Sequence, residues 1–174
     1  RPYQIAGSAC SWSGSPGMSE PDHAALYAAE LAAFDGTDLE QLQPFAMIQS
    51  TLQQVIAGSW WPAGHVEVRP ARSDAASSST RCAAGKAEAR ATISLAAPQL
   101  TVATAAHELA HVLAGPAHGH DAVYRRAYLD VVLVMTNVDP TDRRMGLHVR
   151  QLGAAFAAAG LAVGERTWSP PAEE

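Results

Sequence analysis

The stretch from His107 to His120, HELAHVLAGPAHGH, constrains the fold more than any other part of the chain. Residues 99–114 have helical spacing and meet Gly115-Pro116, a pair that stops a helix. His107 and His111 stand at i and i+4, which on a helix places their side chains on one face, about 40° apart. Val102, Ala105, Ala106, Leu109, Val112 and Leu113 form an apolar stripe nearly opposite to them. One face of this helix therefore belongs to a core. The histidine face carries only Ala103, Ala110 and Ala114 as small neighbours, so a second segment can approach closely. A helix over 120–136 is expected to return across the first.

These residue types in this order also carry chemistry. Two imidazoles one turn apart can grip one ion, and a catalytic zinc site needs three protein ligands and one open position for water. Glu108, beside the first histidine, is placed to take the proton of that water. HExxH also occurs in helices that bind nothing; here the histidines point away from the main apolar stripe, which favours the functional reading. A third ligand is expected just past the helix, where GPAHGHD offers His118 and His120. His120 is favoured because it is read as the start of the returning helix, which would fix its aim. His118 stays open as a rival, and as a substrate contact or an ordinary loop residue. Asp121 could orient a ligand imidazole or simply favour the helix N-terminus. Tyr124 and Tyr128 continue the face of His120 and could donate to a developing oxyanion or pack beside the site. His23, His65 and His148 are isolated and read as structural or solvent-exposed.

Around the motif, helices are expected over 22–34, from Pro44 to Gly58, and from the Asp139-Pro140 start to Gly160. Residues 65–70 and 88–96 read as strands, joined by a Ser/Ala/Gly-rich loop over 71–86. Residues 1–17 are aperiodic and rich in Gly, Ser and Pro, and read as a flexible upstream extension or an expression remnant. Residues 18–163 are expected to form a single α+β domain, followed by a flexible polar tail over 164–174.

Charge and cysteine content narrow the partners. The formal net charge is -5, and the single lysine, Lys86, and eleven arginines form nothing longer than the pairs Arg125-Arg126 and Arg143-Arg144. Those pairs read as solvated helix faces, and no basic stripe exists for a phosphate backbone, so nucleic acid is not an expected partner. Cys10 and Cys82 cannot build a disulfide framework or a CxxC ribbon, so a reducing, cytoplasmic setting is expected. No apolar run approaches the ~18–20 residues of a membrane span, and the N-terminus lacks a signal-peptide pattern.

The segment TAAHELAHVLAGPAHGHDAVYRRAYLDVV resembles the HExxH helix, short turn and returning helix of SprT-like and related small zincins. Their third ligand is a histidine followed four residues later by an aromatic, and His120 and Tyr124 fit that pattern. Over roughly residues 22–163 the order of elements is also similar to a family of small, mainly actinobacterial metallohydrolases. The resemblance implies a minimal zincin fold, with a short sheet against the active-site helix and an edge strand that can hold an extended substrate. Family members often have glycine directly after the third histidine, where this chain has Asp121, with Gly119 before His120. The expectation is a zinc metallohydrolase, and within that class a metallopeptidase acting on a peptide or protein. It would bind one Zn2+ through His107, His111 and His120, with Glu108 as general base. The alternative is a non-catalytic zinc-stabilised binding or scaffold domain, in which His118 or Asp121 would close the fourth coordination position. A zinc nucleobase deaminase is excluded, because HxE with a downstream PCxxC is absent.

Overall fold

A computed structural model describes residues 20–83, 90–137 and 146–171. Residues 1–17, read as an extension, lie outside the described residues, as does the Asp139-Pro140 helix start. Among the described residues, five α-helices and a three-stranded mixed sheet make an α+β fold. The helices are α1 (Glu20–Phe34), α2 (Phe45–Ala57), α3 (Val102–Ala114), α4 (Ala122–Thr136) and α5 (Leu147–Ala158). The strands are β1 (His65–Pro70), β2 (Ser79–Ala83) and β3 (Arg90–Leu95).

In the sheet, β3 is central, parallel to β1 and antiparallel to β2. Alternate residues Ala91, Ile93 and Leu95 of β3 and Val66 and Val68 of β1 are buried, as period-two side-chain alternation requires. The stretch 71–86, read as one loop, contains strand β2. Its Ser-Thr-Arg-Cys-Ala sequence has no apolar alternation, and it becomes a strand through pairing: Thr80 lies opposite Ile93 and Cys82 opposite Ala91. Strand propensity is weak where a neighbour's backbone supplies the partner.

Helix α3 runs through the centre. It begins at Val102, later than its periodicity indicates, because Ala97–Gln99 forms a separate 3-10 turn around Pro98. The Thr101 hydroxyl accepts from Thr104 N at 3.1 Å and caps the helix. Gly115, at φ +85°, ends it. Every residue of α3 from Ala105 to Ala114 is buried, the histidine face included. The sheet and α4 pack on α3, and α1 reaches over the histidines. Tyr124 and Tyr128 of α4 donate to the carbonyls of His107 and Ala103, each at 3.4 Å. As α4 advances one turn its partner on α3 recedes one turn, so the two helices are antiparallel.

Two expectations about the ends of elements are corrected. His120 does not begin α4: Asp121 is the N-cap, its Oδ1 accepting from Val123 N and Tyr124 N at 3.0 Å, and Ala122 is the first helical residue. A short carboxylate caps a helix better than an imidazole. The described part of α5 starts at Leu147, with Gly146 at φ +69° as its N-cap. Residues 164–171 are not a free tail. Gly164 N donates to Ala122 O at 2.8 Å, and a Cβ on Gly164 would lie 2.9 Å from Ala122 C. Arg166 then grips the buried Asp130 with two bonds of 2.6 and 2.8 Å, Trp168 Nε1 donates to the same carboxylate, and Trp60 Nε1 donates to Ser169 O. A buried carboxylate on α4 requires donors, and this segment supplies them.

Among the described residues no helix is long and apolar enough to cross a membrane.

Candidate metal centre

His107 and His111 on α3 and His120 before α4 meet in one place. His120 Nε2 lies 3.2 Å from His107 Nε2 and 3.1 Å from His111 Nε2. All three ligand-competent nitrogens fall within 4.8 Å of one another, and all three residues are buried. A tetrahedral ion with metal–nitrogen bonds of ~2.05 Å sets its ligand atoms about 3.3 Å apart. The two printed separations match that spacing, and the three residues could hold one metal ion.

The hydrogen-bond inventory points the same way. His107 Nδ1 lies 2.8 Å from Glu30 Oε1 on α1, so this nitrogen carries the proton and donates to the carboxylate. Its Nε2 is left as an acceptor. His120 Nε2 stands between two other imidazole nitrogens and can donate to only one of them. One proton on His120 Nε2 satisfies one contact and leaves the other unmet, whereas with that proton on Nδ1 all three nitrogens present lone pairs that one cation can accept, so the cluster fits a metal ion. A carboxylate behind a ligand imidazole also fixes its tautomer and raises its basicity.

Electrostatics set the protonation states. Burial, with the nearby His107, His120 and His23, holds His111 well below the usual histidine range. Burial and the His107, His23 and Arg125 charges push His120 down to about 2. Both are neutral, as ligands must be. For His107 burial also disfavours the charged form, but the Glu30 charge, its hydrogen bond and the Glu108 charge outweigh it and raise the pKa. Glu108 is raised by burial, against the opposing pull of His107 and Thr80.

Glu108 is 1% exposed. Its Oε2 lies 2.7 Å from Thr80 Oγ1, which is also 3.0 Å from the Glu108 carbonyl, so β2 holds this carboxyl. Glu108 Oε1 is buried with no hydrogen-bond partner among the described residues.

His120 owes its aim to Arg125 rather than to a helical position. Arg125 Nη1 donates to His120 O at 2.7 Å and its Nε to Ala162 O at 2.6 Å. The pair Arg125-Arg126, expected on a solvated face, is instead used to tie carbonyls: Arg126 Nε donates to Gly164 O at 3.0 Å. Loop carbonyls near a buried site need donors, and arginine reaches them. His118 is outside the cluster; its Nδ1 lies 2.7 Å from Asp121 Oδ2. Asp121 thus orients His118 and caps α4, and it does not touch His120's ring in any described hydrogen bond. Tyr124 and Tyr128 are 0% and 1% exposed, and their hydroxyls are directed at α3 carbonyls, which is the packing role.

Helix α1 supplies residues that the linear pattern did not mark. Glu30 bonds His107, Tyr27 stacks over it with ring centroids 6.1 Å apart, and the His23 ring lies edge-on to His120 at 4.8 Å. His23, taken as isolated, therefore belongs to the surroundings of the site. Positions 23, 27 and 30 share one face of α1, the only trace of this role in the sequence. Thr80 leaves none, because Ser79–Ala83 has no apolar alternation that marks a strand.

No protein family, curated protein or solved structure matches the chain.

Proposed function

We propose that the chain is a metal-dependent hydrolase of the small zincin type that cleaves peptide bonds, with His107, His111 and His120 holding one divalent ion. Zinc is the ion that three imidazoles suit best. The observation that carries this reading is the meeting of three Nε2 atoms at metal-ligand spacing, with Glu30 fixing the tautomer of the first. Such an ion, when bound, polarises a carbonyl and makes water acidic enough to be deprotonated near neutral pH.

The chain's own residues supply the rest. Glu108 takes a proton from the attacking water and delivers it to the leaving amine. Burial raises its pKa, so it takes up a proton from water more readily than a free carboxylate does. Thr80 keeps one carboxyl oxygen engaged and so orients the other. Glu30, Tyr27 and His23 hold the imidazoles from the α1 side and keep bulk water out. The net charge of -5 and the cysteine usage agree with a peptide substrate in a reducing, cytoplasmic setting rather than with nucleic acid.

One observation favours a second reading, a metal-stabilised domain without catalysis. The three histidines are only 1–5% exposed, and α1 lies over them. A structural site is shielded from solvent in this way, but it needs a fourth protein ligand, and His118 and Asp121 are bonded to each other instead.

The test is metal content by elemental mass spectrometry for wild type, His120→Ala and His118→Ala, joined to hydrolysis of a quenched-fluorescent peptide library by wild type and Glu108→Gln. One zinc per chain, lost in His120→Ala and kept in His118→Ala, supports the site. Turnover by wild type that vanishes in zinc-loaded Glu108→Gln supports the hydrolase. Zinc without any wild-type turnover favours the structural reading, and no divalent metal uptake sinks both.

A further inference from the structure

A cavity of about 80 Å3 opens beside the metal centre, lined at its inner end by His107 and Glu108 and elsewhere by Glu30 and Glu40. Glu40 is exposed whereas His107 and Glu108 are buried, so the cavity leads from the surface to the reacting side chains. Leu31, Pro98 and Ala103 give it an apolar wall. It has three carboxylates and no lysine or arginine in its lining.

We infer that this cavity is the subsite for a cationic side chain of the substrate, an ammonium or guanidinium on an unbranched alkyl stem. This rests on the metallopeptidase reading, which it deepens by naming the substrate class.

Three physical points carry it. A water needs ~10–15 Å3 of such space, so about 80 Å3 holds several waters or the four-carbon stem and head of a lysine. Long cationic side chains lay their methylenes on apolar surface and keep the head among polar groups, which matches the apolar wall and the carboxylates here. The third is the charge of the lining, which carries Glu40 at its exposed part and Glu30 further in. Burial and the neighbouring charges of Glu30 and Asp35 raise the Glu40 carboxyl, so the acidic groups repel one another in the absence of a cation. A neutral or acidic side chain leaves that repulsion in place; a cation removes it.

The test uses the full chain loaded with zinc and titrated, with amide NMR shifts as readout, with N-acetyl-lysine N-methylamide, its norleucine analogue and N-acetyl-glutamate N-methylamide. The lysine compound should bind about tenfold more tightly than norleucine, a difference of ~1.4 kcal/mol. Its shifts should centre on Thr101, Thr104 and Leu31. The arginine analogue should behave as lysine does. Glu40→Gln should weaken lysine binding roughly threefold, as loss of one partly exposed charge does, while keeping one zinc per chain. Equal binding of norleucine or glutamate overturns the inference, as do shifts that map away from the cavity, or no saturable response to lysine in fully zinc-loaded protein. Failure of the underlying reading shows separately, as a zinc content below one per chain or as absent peptide turnover.

Discussion

Glu30 of α1 and His107 of α3 are 77 positions apart in the chain, yet Glu30 Oε1 and His107 Nδ1 meet at 2.8 Å in a nearly closed setting. That pair ties the first helix to the candidate metal centre. It also decides which nitrogen of His107 faces the other two imidazoles. Glu30→Gln keeps an acceptor but removes the charge, and should weaken zinc affinity about 10–100-fold. Competition against a chromophoric chelator measures this; an unchanged affinity would mean that the carboxylate does not tune the ligand.

Thr80 connects the edge strand to the buried Glu108 carboxyl at 2.7 Å. Replacing it with valine keeps the shape and deletes the hydroxyl, leaving Glu108 with a second unsatisfied oxygen. Thr80→Val should cost about 1–3 kcal/mol in urea unfolding, and Thr80→Ser should recover most of it. In peptide hydrolysis the valine variant should lose kcat more than it changes KM, because the positioning of the base is disturbed while the cavity is not. Equal stability of the valine and serine variants would place Thr80 outside the site's support.

Asp130 is 2% exposed and takes both bonds of the Arg166 fork together with Trp168 Nε1. Arg166→Ala leaves a buried carboxylate short of its main partner, and should destabilise the fold by about 3 kcal/mol. Removal of residues 164–174 should cost at least as much. Chemical unfolding checks both, and a loss within ~0.5 kcal/mol of zero would show that this segment contributes little.

Glu40 has a folded-state pKa raised by burial and then by the Glu30 and Asp35 charges. A carboxyl raised in the folded state disfavours folding at pH above its folded pKa, where it must be charged. The penalty disappears below the unfolded value of ~4.3, where the group is protonated in both states. Glu40→Gln should therefore stabilise the protein at pH 7, by no more than about 1 kcal/mol for a partly exposed group, and the advantage should fade as pH drops toward 4. Unfolding of both proteins at pH 7 and pH 4 tests the sign, and a stabilisation that grows on acidification would contradict it.

The histidine pair of α3 and the turn that follows it are legible in the sequence alone. Helical spacing forces His107 and His111 onto one face, Gly115-Pro116 forces the reversal, and the short turn keeps both His118 and His120 near; the fold, not the spacing, brings in His120 and leaves His118 on Asp121. The pair and the turn are local consequences of backbone geometry, so they are legible in fourteen residues. Helix α2 and strands β1 and β3 were legible for the same reason, since period 3.6 and period 2 leave a trace along the chain. Tertiary structure decided the rest. Strand β2 exists because β3 offers it a backbone partner, Arg125 is buried because it meets carbonyls from 120 and 162, and residues 164–171 are held because Asp130 needs donors. Glu30, His23, Tyr27 and Thr80 join the metal centre across long stretches of chain, and Glu40 meets it only through a shared cavity. No spacing rule encodes such meetings. They arise when a buried imidazole or carboxyl must find its counterpart, and the counterpart is whatever the packed fold brings within hydrogen-bond reach.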